Sequence, residues 1–206
     1  TFDDGPHPDY SNTILDVLNT HDVSATFFVV GRSVLAYKTI VQRMAAEGHE
    51  LGNHTFTHQR LDQLAPAEMV LEMDSINRLV REVTGQNMTF FRPPGGRYNR
   101  YVLDHLKTTS MQMVLWDINT GDYYVPVSEE DRSDYPYAKN TVQKKAARVV
   151  KEILESVQSG SIILLHNTDG ETIKALPQII TALRGQGYRF VTLSKMLKEG
   201  SLVVKR

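Results

Sequence analysis

Two aspartates stand side by side at positions 3 and 4, in the stretch TFDDGP. Asp, Gly and Pro all favour turns, so a solvated acidic turn is the bland reading of this segment. Adjacent carboxylates can instead divide the work of one site. One ligates a cation while its neighbour stays free as a general base for an attacking water. His54 and His58 are four apart in GNHTFTH, and a helical turn there would project both imidazoles toward one cation. Two histidines at that spacing are often incidental on their own. A carboxylate from another strand end strengthens the case, because a His-His-Asp set leaves positions open for water and substrate. A neighbouring Arg92 guanidinium would keep the free carboxylate ionised and oriented. His166, which closes SIILLH, could protonate a leaving nitrogen; taken alone it reads as a buried strand-end histidine.

These residues need a scaffold that brings distant positions to one place. The run VSATFFVVG, residues 23–31, is continuously apolar and β-type, as expected of a strand buried on both faces. HELGNH, MTFF, MQMVLWDI, SIILLH and YRFVTL are further short strand candidates. With TFDDGP they make about seven. Helical spacing falls between most of them, over residues 11–20, 33–47, 66–85, 101–108, 141–158 and 172–185. Ser11 is a plausible N-cap, Gly48 a natural stop, and Pro66 and Gly85 bracket the clearest amphipathic helix. Alternating strands and helices predict parallel βα units, closed as a barrel or open as a doubly wound sheet. Asp3 and Asp4, GNHTFTH, RPPGG, residues 117–122 and His166 all sit at strand exits. That is the rim where catalytic residues collect in such folds. Residues 123–140 have no clean period and read as a long excursion.

The composition is that of an ordinary globular chain: 206 residues, 41% hydrophobic, 23% charged, formal net charge −1. That balance offers no basic face for nucleic acid. There is no cysteine, so a metal has only His, Asp or Glu to hold it. No apolar run approaches the ~20 residues of a membrane span. Residues 1–206 read as a single catalytic domain whose own N-terminal beginning is missing, so the lack of a leader is uninformative.

The motifs together resemble the polysaccharide deacetylases of the NodB-homology type, carbohydrate esterase family 4. The resemblance runs through TFDDGP, SATFFVVG, HELGNHTFTH, FRPPGGRYN, SIILLH and GYRFVTLSKML, nearly the whole chain in order. It implies an α/β fold, a distorted (β/α)7 barrel. It also implies metal-dependent hydrolysis of N-acetyl groups on GlcNAc-containing polymers such as peptidoglycan, chitin or exopolysaccharide, with release of acetate. The implied cofactor is one divalent ion, zinc first, with cobalt, manganese or nickel as alternatives. The implied partner is an N-acetylated glycan, bound by a monomer that is extracellular or associated with the cell envelope.

By position, Asp3 resembles the general base and Asp4 the metal-binding carboxylate, with His54 and His58 completing the triad. Arg92 resembles the arginine that orients the base, and His166 the general acid. Leu165 is expected in the small pocket for the acetyl methyl, and the Gly95 N–H at the oxyanion position. Pro94, Tyr123 and Trp116 are expected near the substrate groove, although Trp116 reads first as core. Two departures stand out. RPPGG replaces the common RPPYG and loses an aromatic wall. NTGDY replaces DxxDW, which puts Asn119 where a histidine-tuning carboxylate is expected, leaves Asp117 as its possible substitute, and puts Tyr123 in place of tryptophan. The Asn119 and Tyr123 departures motivate a second reading, a carbohydrate-binding pseudo-deacetylase. A deacylase of small amides is a third.

Overall fold

The apolar runs form the inner layer of the molecule, a parallel sheet wrapped by helices. The computed structural model describes residues 1–122 and 145–200. Among them the strands are β1 (Phe2–Gly5), β2 (Thr26–Val29), β3 (Glu50–Asn53), β4 (Phe90–Phe91), β5 (Gln112–Met113), β6 (Ile118–Asn119) and β7 (Ile163–His166). The helices are α1 (Ser11–Thr20), α2 (Gly31–Ala36), α3 (Lys38–Ala46), α4 (Pro66–Thr84), α5 (Arg100–Leu106), α6 (Ala146–Ser156), α7 (Gly170–Gly185) and α8 (Leu193–Lys198). None of them is long and apolar enough to cross a membrane.

The strand order is β5-β4-β3-β2-β1-β7-β6, every recorded pairing being parallel. Both faces of the sheet are buried. Phe27 and Val29 join the large cluster shared with the surrounding helices, while Phe28, between them, belongs to a separate cluster with Phe90, Val114, Ile162 and Leu193. Alternate side chains of one strand therefore enter two different cores.

The edge strands β5 and β6 are separated by residues 114–117 alone. Five peptide steps reach at most about 18 Å, so the sheet must curl until its edges nearly meet. The stretch that closes it bonds to β4 first, Val114 N–H to the Phe91 carbonyl at 2.9 Å, and then toward β7, Asp117 N–H to the Ile162 carbonyl at 2.9 Å. The result is a distorted (β/α)7 barrel.

The strand expectations need two corrections. MQMVLWDI is not one strand but two on opposite edges, because closure bends it. Residues 188–193 form no strand. Tyr188 and Phe190 pack half-buried on the large cluster, and Leu193 already starts α8. The Leu193 N–H goes to Thr26 Oγ1 at 3.1 Å and the Ser194 N–H to Glu50 Oε2 at 3.1 Å, so side chains take donors that a ladder would otherwise use. The expected helix over residues 33–47 is broken at Tyr37 into α2 and α3. Ser11 does not cap α1. Its Oγ accepts the His7 N–H and donates to Asn167 Oδ1, tying the start of α1 to the residue after His166.

Candidate active site

Each strand exit of the rim delivers one element of the site. Asp3 pairs with His166 across β1 and β7, which places both side chains on the same face of the sheet. In a regular strand Asp4 would point the opposite way. Asp4 instead has φ of 72°, in the left-handed region that non-glycine residues rarely visit. That single residue breaks the alternation and brings both carboxylates toward His54: Asp4 Oδ1 is 3.2 Å and Asp3 Oδ2 3.7 Å from its Nε2.

Asp4 Oδ1 is also 3.0 Å from His58 Nε2, and one ligand atom from each of Asp4, His54 and His58 lies within 4.8 Å of the others. Donors around a four-coordinate zinc at ~2.0–2.2 Å sit roughly 3.3 Å apart, so both distances from Asp4 Oδ1 match the spacing of donors on one cation. The His54 tautomer agrees. Its Nδ1 is 2.8 Å from the Arg92 carbonyl, an acceptor only, so Nδ1 carries the proton and the Nε2 lone pair faces Asp4. A lone pair facing a carboxylate needs a cation or a proton between them. Burial works against the Asp4 carboxylate, yet the charge of His58 and the close approach of both imidazoles hold its carboxyl well below the usual range. Burial likewise opposes an imidazolium at His58, and Asp4 overrides it and raises the pKa.

Arg92 follows β4 directly and is fully buried, with its guanidinium 4.1 Å from the centroid of the Phe28 ring. Its Nη1 donates to Asp3 Oδ1 at 2.7 Å and to Thr1 Oγ1 at 2.9 Å. Its Nε and Nη2 donate to the carbonyls of Val114 and Leu115, at 3.1 and 2.9 Å. The same side chain thus holds Asp3 and fastens the bend that closes the barrel.

At the opposite wall, His166 Nδ1 is 2.8 Å from Asp122 Oδ1, and the His166 N–H donates to Asp122 Oδ2 at 2.8 Å. Thr120 and Thr172 hydroxyls also donate to Asp122, which is fully buried. Burial alone would lower the His166 pKa; the Asp122 charge and hydrogen bond, with help from Asp4 and Asp3, push it up to about 9. This corrects the expected tuning residues. Asn119 is exposed and its Oδ1 accepts the Gly121 N–H, while Asp117 Oδ2 accepts the Ile162 N–H. Neither holds His166. The signal was present in the sequence: from the apolar Ile118, strand alternation runs inward through Thr120 to Asp122 and leaves positions 117 and 119 outside.

The remaining expected residues separate. Leu165 is buried in the large cluster, paired in register with Phe2, on the strand face opposite His166. The buried apolar side chain that shares the His166 face is Leu164. Pro94 is buried at the start of a tight turn, followed by Gly95 and Gly96 with φ of 60° and 69°. Nothing lies within 4 Å of where a Gly95 Cβ would be, so the rim is open there. A Cβ on Gly96 would meet the ring of Trp116 at 2.9 Å, so Trp116 forms the floor under this turn. Tyr123 and the excursion over 123–140 lie outside the described residues.

A family model described as polysaccharide deacetylase matches residues 1–114. The chain is 32% identical over 200 residues to the peptidoglycan-N-acetylmuramic acid deacetylase PdaA of Bacillus subtilis, covering 97% of this chain and 70% of that protein. It is 35% identical over 202 residues to a peptidoglycan-N-acetylglucosamine deacetylase of Bacillus cereus, covering 96% of this chain and 86% of that protein. The solved structure of the peptidoglycan deacetylase PdaC from Bacillus subtilis superposes with a TM-score of 0.78 at 31% identity, over 96% of this chain and 87% of that one.

Proposed function

Because the chain belongs to the polysaccharide deacetylase family, we propose that it hydrolyses N-acetyl groups on a GlcNAc-containing glycan, with peptidoglycan as the first polymer to test. The observation that carries this reading is the convergence of Asp4, His54 and His58 on one point, flanked by the Asp3–Arg92 and His166–Asp122 pairs. A divalent cation held by Asp4, His54 and His58, zinc in the first place, would polarise the acetamide carbonyl and acidify the attacking water.

Asp3 has Oδ1 committed to Arg92, which leaves Oδ2, on the His54 side, to take a proton from water. The water oxygen attacks the acetamide carbon. The Gly95 N–H, on the open turn, is the backbone donor for the oxyanion. His166 holds its Nδ1 proton against Asp122, so its Nε2 proton is the one to pass to the leaving nitrogen as the C–N bond breaks. The products are a free amine on the sugar and acetate. Leu164, sharing the His166 face, takes the place of Leu165 as the apolar wall for the methyl group. Cobalt, manganese and nickel are the alternative ions. A single catalytic domain, a monomer, and an extracellular or envelope location accompany this reading.

Of the two departures behind the pseudo-deacetylase reading, Tyr123 lies outside the described residues, and the one at Asn119 loses its weight because Asp122 supplies a carboxylate at His166. Acetate release from peptidoglycan and chitooligosaccharides, measured after metal removal and add-back, tests the proposal. The expected result is metal-dependent release. Glycan binding with no release under any of the four metals would sink it.

A further inference from the structure

The two candidate metal histidines sit on a loop with an unusual backbone. Thr55 and His58 have φ of 66° and 65°, so the loop is neither the helical turn expected from the spacing nor a strand. Such a path gives up the regular hydrogen-bond ladders, and each N–H needs a separate acceptor. All four are accounted for. The Thr55 N–H donates to Asn53 Oδ1 at 2.8 Å and the His58 N–H to Thr55 Oγ1 at 3.1 Å. The two between them, Phe56 N–H at 3.0 Å and Thr57 N–H at 2.8 Å, converge on Oε2 of Glu72. The Thr57 hydroxyl donates to Oε1 of the same carboxylate at 2.7 Å.

Glu72 belongs to α4, next to Met73, which buries its side chain in a core cluster with Met69 and Leu61. Asn53 Nδ2 donates to the Met73 carbonyl at 2.7 Å, a second tie from the same turn of α4 to this loop. Glu72 is the only charged side chain among the loop's N–H acceptors, and it grips the residues between His54 and His58.

We propose that Glu72 is a positioning residue for the metal centre: by clamping Phe56 and Thr57 it sets His58 against His54 and Asp4, and so governs how tightly the cation is held. It touches neither substrate nor cation. The inference rests on the metal-site reading above. Residues that orient metal ligands from outside the coordination sphere are typically worth about 10–100-fold in metal affinity.

The test is zinc affinity, measured by competition with a chromophoric chelator, together with the visible spectrum of the cobalt form. Glu72→Ala is expected to weaken zinc binding by about 10–100-fold and to change the cobalt spectrum. Glu72→Gln keeps an acceptor oxygen for both N–H groups and should recover most of the affinity. Glu68→Ala removes a carboxylate from the same helix that, among the described residues, accepts the Ala65 N–H alone, and should leave zinc affinity unchanged. Thr57→Val removes one donor without touching α4 and is expected to weaken binding by a smaller factor, which covers the case in which Glu72→Ala does not fold. Wild-type zinc affinity in whichever of Glu72→Ala and Thr57→Val folds overturns the assignment. A wild-type chain that takes up neither zinc nor cobalt overturns the metal-site reading, and the assignment falls with it.

Discussion

His49 and His166 are both buried, at opposite ends of the parallel sheet, and the fold treats them in opposite ways. His49 precedes β3 at the N-terminal end. Its Nδ1 accepts the Ala25 N–H at 3.1 Å, its ring lies edge-on to Phe27, and its Nε2 finds no hydrogen-bond partner among the described residues. Burial lowers its pKa, and Glu47, 3.9 Å away, only partly offsets that. His166, at the C-terminal end, feels burial too, but a carboxylate at 2.8 Å reverses the direction. Desolvation is common to both, and the paired charge decides the sign.

Carboxylates divide along the same axis. At the N-terminal end, Glu50 accepts from Thr26 Oγ1 and from the Ser194 N–H and hydroxyl, which ties α8 across the bottom of the barrel. Its partners are neutral donors on the protein itself. At the rim, Asp4 Oδ1 lies 3.2 and 3.0 Å from Nε2 of His54 and His58, the set that could hold a cation, and Asp3 keeps one oxygen uncommitted to Arg92. The bottom network is satisfied internally and serves stability. The rim is left to be completed from outside, with left-handed backbone at Asp4, Thr55 and His58 maintaining it.

That contrast can be broken at four points. The largest effect is expected from stripping the metal or from Asp4→Ala: acetate release should fall to background. Added zinc should restore the stripped wild-type protein but not the variant. Asp3→Asn should cost about 10²–10⁴-fold in kcat while zinc still binds, and a proportional loss of both would merge the two roles assigned to Asp3 and Asp4. Asp122→Asn should cost less in kcat, roughly tenfold to a hundredfold, with the pH profile as its main readout. With the His166 pKa raised to about 9, the acid form persists through neutral pH and the basic limb follows its loss. A cation on Asp4 offsets part of that rise and sets the limb at or below this value. Removing the Asp122 charge should move the limb to lower pH, and an unmoved limb would separate His166 from proton donation. The same shift enters stability: the His166 contribution is complete below its unfolded pKa near 6.5 and is lost as pH rises through about 9. The depressed His49 pKa works the other way, its contribution being present above about 6.5 and lost as pH falls. The smallest effect on turnover is expected from Glu50→Gln, which should lower stability by about 1–3 kcal/mol in thermal unfolding with kcat/KM unchanged. A loss of turnover there would show that the two ends are coupled.

Much of the rim was legible because strand exits are marked by local chemistry. The apolar runs ending at Asp3, at Asn53 before His54, at Phe91 before Arg92 and at His166 are continuous in sequence. What misled was parity. Leu165 and Asn119 are one and three residues from Leu164 and Asp122, the positions proposed for those roles, and each is off by an odd number, which in a strand means the opposite face. Glu72 carried no motif at all, since a carboxylate on an amphipathic helix looks like any solvated residue until the loop it grips is in view.

The sequence by itself determined the residue types available for catalysis, the exclusion of thiolate ligands, the βα alternation and the order of the strand exits. Those follow from local periodicity and composition. Tertiary structure alone decided where the periodicity is broken: at Asp4, whose left-handed backbone turns two neighbouring carboxylates into one site, and at residues 114–117, where the chain leaves β4 for β7. Both breaks depend on partners far away in sequence, His54 and His58 for the first and Phe91 and Ile162 for the second. Only the assembled sheet brings those partners within bonding distance.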